Sequence, residues 1–166
     1  MSSEKRKIAY IDGKPYEIGA NHTSILKFVK SYVGEKKVPT LCDDPNLAPY
    51  GACRVCSVEV ALEKDGPTRM VASCHTPVVE NQHIFTSNEA ITNLRKNIVE
   101  LVLTDHPMEC DSCEVNNNCE LQTVANDLGI SDHRYNSPKQ HKGIPRDTSH
   151  DYMRMNLDNC INCGRC

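Results

Sequence analysis

The placement of ten cysteines constrains this chain more than any other feature it has. They fall into three groups: Cys42, Cys53, Cys56 and Cys74; then Cys110, Cys113 and Cys119; then Cys160, Cys163 and Cys166. The opening MSSEKRK has no apolar run behind it, so neither a secretory signal nor a membrane anchor is expected, and a reducing, cytoplasmic setting follows. In that setting an even number of cysteines reads as metal ligands before it reads as disulfides. Only 39% of the 166 residues are hydrophobic, aromatics are 5% and tryptophan is absent, so apolar burial alone is a thin basis for a fold. Metal ligation would make up the shortfall. A net charge of −3 with dispersed lysines and arginines argues against nucleic acid as a partner.

The first part of the chain alternates in the manner of short strands around one helix. KIAYIDGKPYEI reads as a hairpin, with Asp12-Gly13 supplying the positive φ of a tight turn. Ile25, Phe28, Val29, Tyr32 and Val33 fall at helical spacing, with Asn21 or Thr23 as the cap and Gly34 as the stop. In CSVEVAL, Cys56, Val58, Val60 and Leu62 would share one face of a strand, and RMVASC and HIFT add two more. This order suggests a small mixed sheet wrapped on one helix, a β-grasp pattern. From Ser87 the character changes. Ile91, Leu94, Ile98, Leu101 and Val102 mark a helix up to the break at Pro107, and ELQTVANDL a shorter one running into Gly129. The polar, Pro- and Gly-punctuated stretch from Ser131 to Ser149 reads as a surface connection.

Four thiolates from one loop and one distant strand are what a two-iron cluster requires, and Cys42, Cys53, Cys56 and Cys74 have that form. Gly51 and Ala52 are small enough to let backbone N–H groups approach the sulfurs. Cys53-x2-Cys56 alone would serve a zinc ribbon equally well, but zinc sites usually join two close pairs, whereas Cys42 and Cys74 stand alone on either side of one. The segments PTLCDDPNLAPYGACRVCSVEV and ASCHTPV resemble the N-terminal ferredoxin domain of the large iron–sulfur subunit of NADH:quinone oxidoreductase. The same group takes in the alpha subunit of NAD-linked formate dehydrogenase, the diaphorase subunit of NAD-reducing hydrogenase, and FeFe-hydrogenase. The ten residues between Cys42 and Cys53 match the longer first gap of that group.

In DHPMECDSCEVNNNCELQ, the three thiolates Cys110, Cys113 and Cys119 are one short of a cubane's four ligands. The nearby candidate is His106, at a helix end whose exit Pro107 fixes. A lone histidine at a helix end is more often a surface residue, but three cysteines lacking one partner reverse that reading. The resemblance implies the same, since the group has one histidine and three cysteines around a four-iron cluster before an NCELQ-like stretch. A neutral imidazole in place of a thiolate would leave this site one charge less negative and easier to reduce. His22, His75, His83, His133, His141 and His150 read as ordinary polar residues.

Cys160, Cys163 and Cys166, in NCINCGRC, have the C-x2-C-x2-C opening of a bacterial ferredoxin motif without its fourth cysteine. The sequence is therefore expected to be a fragment, and any further four-iron cluster here would need residues outside this chain. The expected architecture is α+β: a β-grasp 2Fe–2S ferredoxin-like domain at 1–86, a helical His/Cys3 4Fe–4S domain with a trailing loop at 87–150, and an incomplete ferredoxin-type motif at 151–166. No dinucleotide fingerprint, phosphate loop or activated nucleophile is present, so no substrate-converting site is expected within these residues.

The expected function is single-electron relay in an NAD(P)-linked oxidoreductase of NADH or formate dehydrogenase type. The resemblance implies partners on both sides: a flavin-bearing, NADH-oxidising subunit and a downstream redox centre. It also allows a position at the periphery of the inner membrane through a complex, without insertion. The competing readings are a hydrogenase relay and, from a different class, a zinc-stabilised binding module with no redox role.

Overall fold

The computed structural model describes residues 6–135 and 142–166. The first five residues and residues 136–141 of the expected surface connection lie outside the described residues. Among the described residues nine elements follow in order: strands β1 (Ile8–Ile11) and β2 (Lys14–Glu17), helix α1 (Ile25–Val33), strands β3 (Ser57–Ala61), β4 (Arg69–Ala72) and β5 (His83–Phe85), helix α2 (Glu89–Thr104), a 3-10 turn at Cys110–Ser112, and helix α3 (Glu120–Asp127). The described residues divide into two compact units. One runs to Arg95 and the other begins at Lys96, with Arg165 counted in the first and Cys166 in the second.

In the first unit the strands form one mixed sheet in the order β2-β1-β5-β3-β4. β1 and β5 are parallel, with Tyr10 opposite His83, and the other pairs are antiparallel. The β1–β2 turn is the expected one, since Asp12 and Gly13 have φ of 48° and 82°, the left-handed values a two-residue hairpin needs. Along β1 the side chains alternate: Ala9 and Ile11 are buried, while Tyr10 lies outside and stacks on His83.

α1 covers the sheet with Ile25, Leu26, Phe28 and Val29, all buried. Its cap is Ser24, not Asn21 or Thr23: the hydroxyl accepts from the Lys27 amide at 3.3 Å. Gly34 stops the helix as expected, its amide donating to the Lys30 carbonyl at 3.2 Å. The core joins these residues to Ala9, Ile11, Val38, Val58, Val60, Ala72 and Ile84, and it includes Cys56 and Cys74.

Two expected faces differ. Leu62 lies past the end of β3 and is 64% exposed, because the chain turns away after Ala61. α2 spans the expected residues, but its buried stripe is Ile91, Arg95, Val99 and Leu103, four residues apart, and Leu101 is 55% exposed. Leu94, Ile98 and Val102 flank that stripe half-buried. The i, i+4 spacing is as good a helical pattern as the one read from the apolar residues alone, but an arginine sits inside it. α3 buries Leu121, Val124 and Ala125. No helix among the described residues is long and apolar enough to cross a membrane.

Phe28→Ala should lower the stability of the first unit by about 3–5 kcal/mol, as expected for a fully buried aromatic ring. Leu62→Ala should stay within about 0.5 kcal/mol of the parent. Urea unfolding followed by far-UV circular dichroism distinguishes the two.

Candidate metal centres

Cys42, Cys53, Cys56 and Cys74 come together in the first unit, and the local sequence accounts for the placement of the last three. Gly51 has a φ of +69°, and a Cβ added there would meet the Cβ atoms of His75 at 3.3 Å and Ala72 at 3.6 Å. Only glycine lets the loop turn this close to the segment that carries Cys74. Arg54, with φ of 62°, continues the turn, and its carbonyl accepts from the Ser57 amide at 3.1 Å and the Ser57 hydroxyl at 2.6 Å, which ends the loop at the start of β3.

Cys74 is set by α1. Two amides at the helix start, Ile25 and Leu26, donate to the carbonyls of Thr76 and Ser73, each at 2.9 Å. Amides that a helix cannot satisfy internally thus hold the residues on either side of Cys74. The Ser73 hydroxyl donates to the Cys56 carbonyl at 2.7 Å and closes the pair.

The sulfurs sense one another. The hydrogen bond from Cys74 is the main reason the Cys56 thiol is pulled down to about 6, with burial opposing and Ser73 assisting. Cys74 moves the opposite way, pushed well above the ordinary thiol range by Cys56, by burial, and by negative charge at Cys42 and Asp43. Burial raises Cys53, against backbone amides of Val55, Cys42 and Leu41 that favour its thiolate. Buried thiolates packed this way cannot all ionise on their own. A cationic iron core would remove the conflict and accept all four.

One further charge stands nearby. Arg95 is 5% exposed, and its Nη2 donates to the Ser57 carbonyl at 2.7 Å. Its Nε is buried with no hydrogen-bond partner among the described residues. Burial lowers its pKa to about 10, and negative charge at Cys56 works against that fall. Sequence reasoning passed over Arg95. The available signal was its i+4 spacing from Ile91 and to Val99.

In the second unit, His106, Cys110, Cys113 and Cys119 line one cavity of about 240 Å³, also walled by Leu103 and Leu121. That is the space of about eight water molecules, enough for a group of several heavy atoms. The 3-10 turn carries Cys110, Cys119 is the N-cap of α3, and His106 follows the end of α2. Burial raises the Cys110 thiol, and negative charge at Cys119 and Cys113 adds to it.

The His106 ring is buried, and its Nδ1 lies 3.4 Å from the Cys160 carbonyl. A carbonyl only accepts, so this contact makes Nδ1 the N–H and leaves the Nε2 lone pair for a metal. Burial also holds the imidazole below its ordinary pKa, which keeps it neutral as a ligand must be. A second contact missed in the sequence is Asn159, whose Nδ2 donates to the Cys113 sulfur at 3.8 Å.

Cys160 and Cys163 are half-buried and Cys166 is exposed. Asn162 and Gly164 have left-handed φ of 54° and 69°, and the Asn162 amide points at the Cys160 sulfur at 3.4 Å. This is the backbone form of a loop that offers N–H groups to anionic sulfur. Among the described residues no group of three or more His, Cys, Asp or Glu is gathered around the position of a single metal ion.

Comparison with known proteins matches both main sets. Residues 8–89, which contain the first four cysteines, match the model of a 2Fe-2S iron-sulfur cluster binding domain. Residues 95–134, which contain His106, Cys110, Cys113 and Cys119, match the NADH-ubiquinone oxidoreductase-G iron-sulfur binding region. The chain is 33% identical over 156 residues to the NADPH-Fe(3+) oxidoreductase subunit alpha of Geobacter sulfurreducens, covering 94% of this chain and 17% of that one. To the NADP-reducing hydrogenase subunit HndD of Solidesulfovibrio fructosivorans it is 35% identical over 162 residues, covering 94% and 26%. To the G-type subunit of the NADH-quinone oxidoreductase of Salmonella typhimurium it is 33% identical over 160 residues, covering 95% and 17%.

Among solved structures, the NAD+-reducing [NiFe]-hydrogenase in the H2-reduced state superposes with a TM-score of 0.80 at 25% identity, over 96% of this chain and 64% of that one. The chain thus spans about a sixth to a quarter of the length of these curated relatives.

Gly51→Val should lower the iron content of the first site, because it places a β-branched residue at a left-handed φ and against His75. The expected result is loss of more than half of the 2Fe–2S signal in electron paramagnetic resonance (EPR) spectra, with the 4Fe–4S signal retained.

Proposed function

We propose that this chain, two of whose segments belong to the 2Fe-2S iron-sulfur cluster binding domain and NADH-ubiquinone oxidoreductase-G iron-sulfur binding region families, relays single electrons within an NAD(P)-linked oxidoreductase complex. The observation that carries this reading is the convergence of His106 with Cys110, Cys113 and Cys119 on one cavity, in a chain whose other unit gathers Cys42, Cys53, Cys56 and Cys74 in a ferredoxin-like fold.

In this reading Cys42, Cys53, Cys56 and Cys74 hold the 2Fe–2S cluster, and the parallel β1–β5 pair beneath α1 is the centre of a β-grasp. His106 through Nε2, with Cys110, Cys113 and Cys119, holds a 4Fe–4S cluster. Cys160, Cys163 and Cys166 are candidate thiolates for a further one. In the same reading the chain comprises a ferredoxin-like domain to residue 86, the His/Cys3 domain to 150 and the last motif from 151, whereas the compact units divide between Arg95 and Lys96. When bound, the clusters supply one-electron redox chemistry with little movement of their ligands.

The protein's own part is to bring the sulfurs together and to hold His106 neutral with Nδ1 tied back. The electrons would come from a flavin-bearing partner that oxidises NADH or NADPH and pass to a downstream centre. Relatives that are hydrogenase and quinone oxidoreductase subunits support this class of complex, and the formate-linked member of the group is the alternative within it. A relay of this kind fits a complex at the cytoplasmic face of a membrane.

The test is spectroscopic. Purified without oxygen, the protein should be brown, with dithionite-sensitive visible bands and two distinct EPR signals in the reduced state. A colourless protein with stoichiometric zinc would overturn the reading in favour of a binding module. His106→Cys should keep the four-iron signal and shift its potential downward, since a further negative ligand disfavours reduction. Cys113→Ala should abolish that signal and leave the two-iron one. Unchanged spectra in both variants would mean that the second ligand set is misassigned.

A further inference from the structure

Arg95 is a cation in a place that otherwise selects apolar residues. It occupies the buried stripe of α2 between Ile91 and Val99, and is itself 5% exposed. Taking a guanidinium out of water is unfavourable unless an anion or a full set of acceptors meets it. Ser57 supplies one acceptor, at 2.7 Å from Nη2, and Nε has none among the described residues. Ser57 directly follows Cys56 in the chain, so this hydrogen bond ties the guanidinium to the Cys56 end of the first site.

A leucine or methionine would fill this buried position at lower cost. The placement makes sense if the group Arg95 faces is anionic, and four thiolates around a two-iron core are strongly so. We propose that Arg95 is a positioning residue supplying the buried counter-charge of the 2Fe–2S site, anchored through the Ser57 carbonyl beside the Cys56 corner, and that it raises the potential at which this site accepts an electron. The inference rests on the assignment of Cys56 as a cluster ligand.

The electrostatic argument is direct. Reduction adds one electron, delivered by the flavoprotein or by dithionite, with no proton taken up and no ligand bond broken. The site becomes one unit more negative. A fixed buried cation therefore stabilises the reduced form more than the oxidised form, and burial keeps salt from screening it.

The experiment is an EPR-monitored redox titration of the full chain carrying its clusters, comparing the parent with Arg95→Gln, Arg95→Met and Arg95→Lys. Gln and Met remove the charge, Met without leaving an unpaired polar group, and Lys restores it. Either neutral variant should lower the 2Fe–2S midpoint by at least the equivalent of a tenfold change in equilibrium constant, about 59 mV for one electron. Lys should recover most of that shift, and the 4Fe–4S midpoint should stay in place.

Neutral variants that load the cluster and titrate with the parent overturn the proposal, as do variants that move both midpoints together. Failure of both neutral variants to hold the two-iron cluster makes Arg95 a strut and also overturns it. A parent protein with no two-iron signal would instead overturn the assignment of the first site, and needs no variant to be seen.

Discussion

Acidic groups brought into contact inside a protein oppose one another's ionisation, and the first unit of this chain is organised around that conflict. Cys56 and Cys74 belong to the same buried core as Phe28 and Val58, so water cannot relieve their repulsion. One thiol of the pair is driven down and the other up. The surrounding structure does little to resolve this by itself. It places the sulfurs, through Gly51 in the loop, the first turn of α1 behind Cys74 and Ser73 between the two strands, and leaves the charge to be balanced by iron and, at the edge, by Arg95.

The second unit meets a milder form of the same problem. Three thiolates and one imidazole carry one negative charge fewer than four thiolates. Burial favours the neutral imidazole, against the pull of the Cys160 carbonyl, which fixes Nδ1 as the N–H. The wall of the cavity is also different in kind. The first site is embedded in the core of a sheet, whereas the second lies at the ends of two helices and a 3-10 turn. With the proposed ligand sets, the two iron sites would differ in donors and burial and therefore in potential, and such a difference lets an electron carrier set a direction.

Features that depend on a few adjacent residues were legible in the sequence. The Asp12-Gly13 turn, the stop at Gly34, the strand after Cys56 and the grouping of cysteines all rest on local backbone chemistry or on spacing. What was missed depends on partners distant in the chain. Ser24 caps α1 where Asn21 or Thr23 had equal claim, because the choice is made by where the preceding loop enters. Leu62 continued the alternation of β3 in sequence, but the strand ends when its pairing with β4 and β5 ends. The stripe of α2 was read from apolar residues, which by definition left out Arg95. Its role appears only once the Ser57 carbonyl is in place, 38 residues earlier in the chain.

The two units also differ in how much of their stability the metal must supply. The first has a contiguous apolar core running from Ala9 to Ile84, with Phe28 at its centre and two of its cysteines built into it. In the second, Val99, Leu103, Leu121, Val124, Ala125 and Ile130 are the buried hydrophobic residues described, on two helices and the turn that follows. That is little apolar area with which to offset the chain entropy of the loops that carry Cys110, Cys113 and Cys160. Where a core is small, binding free energy of the metal becomes folding free energy. Under the proposed assignment the ligands that tune the second site would also be its structural staples, and the shortage of apolar residues in the composition would be felt there more than in the sheet.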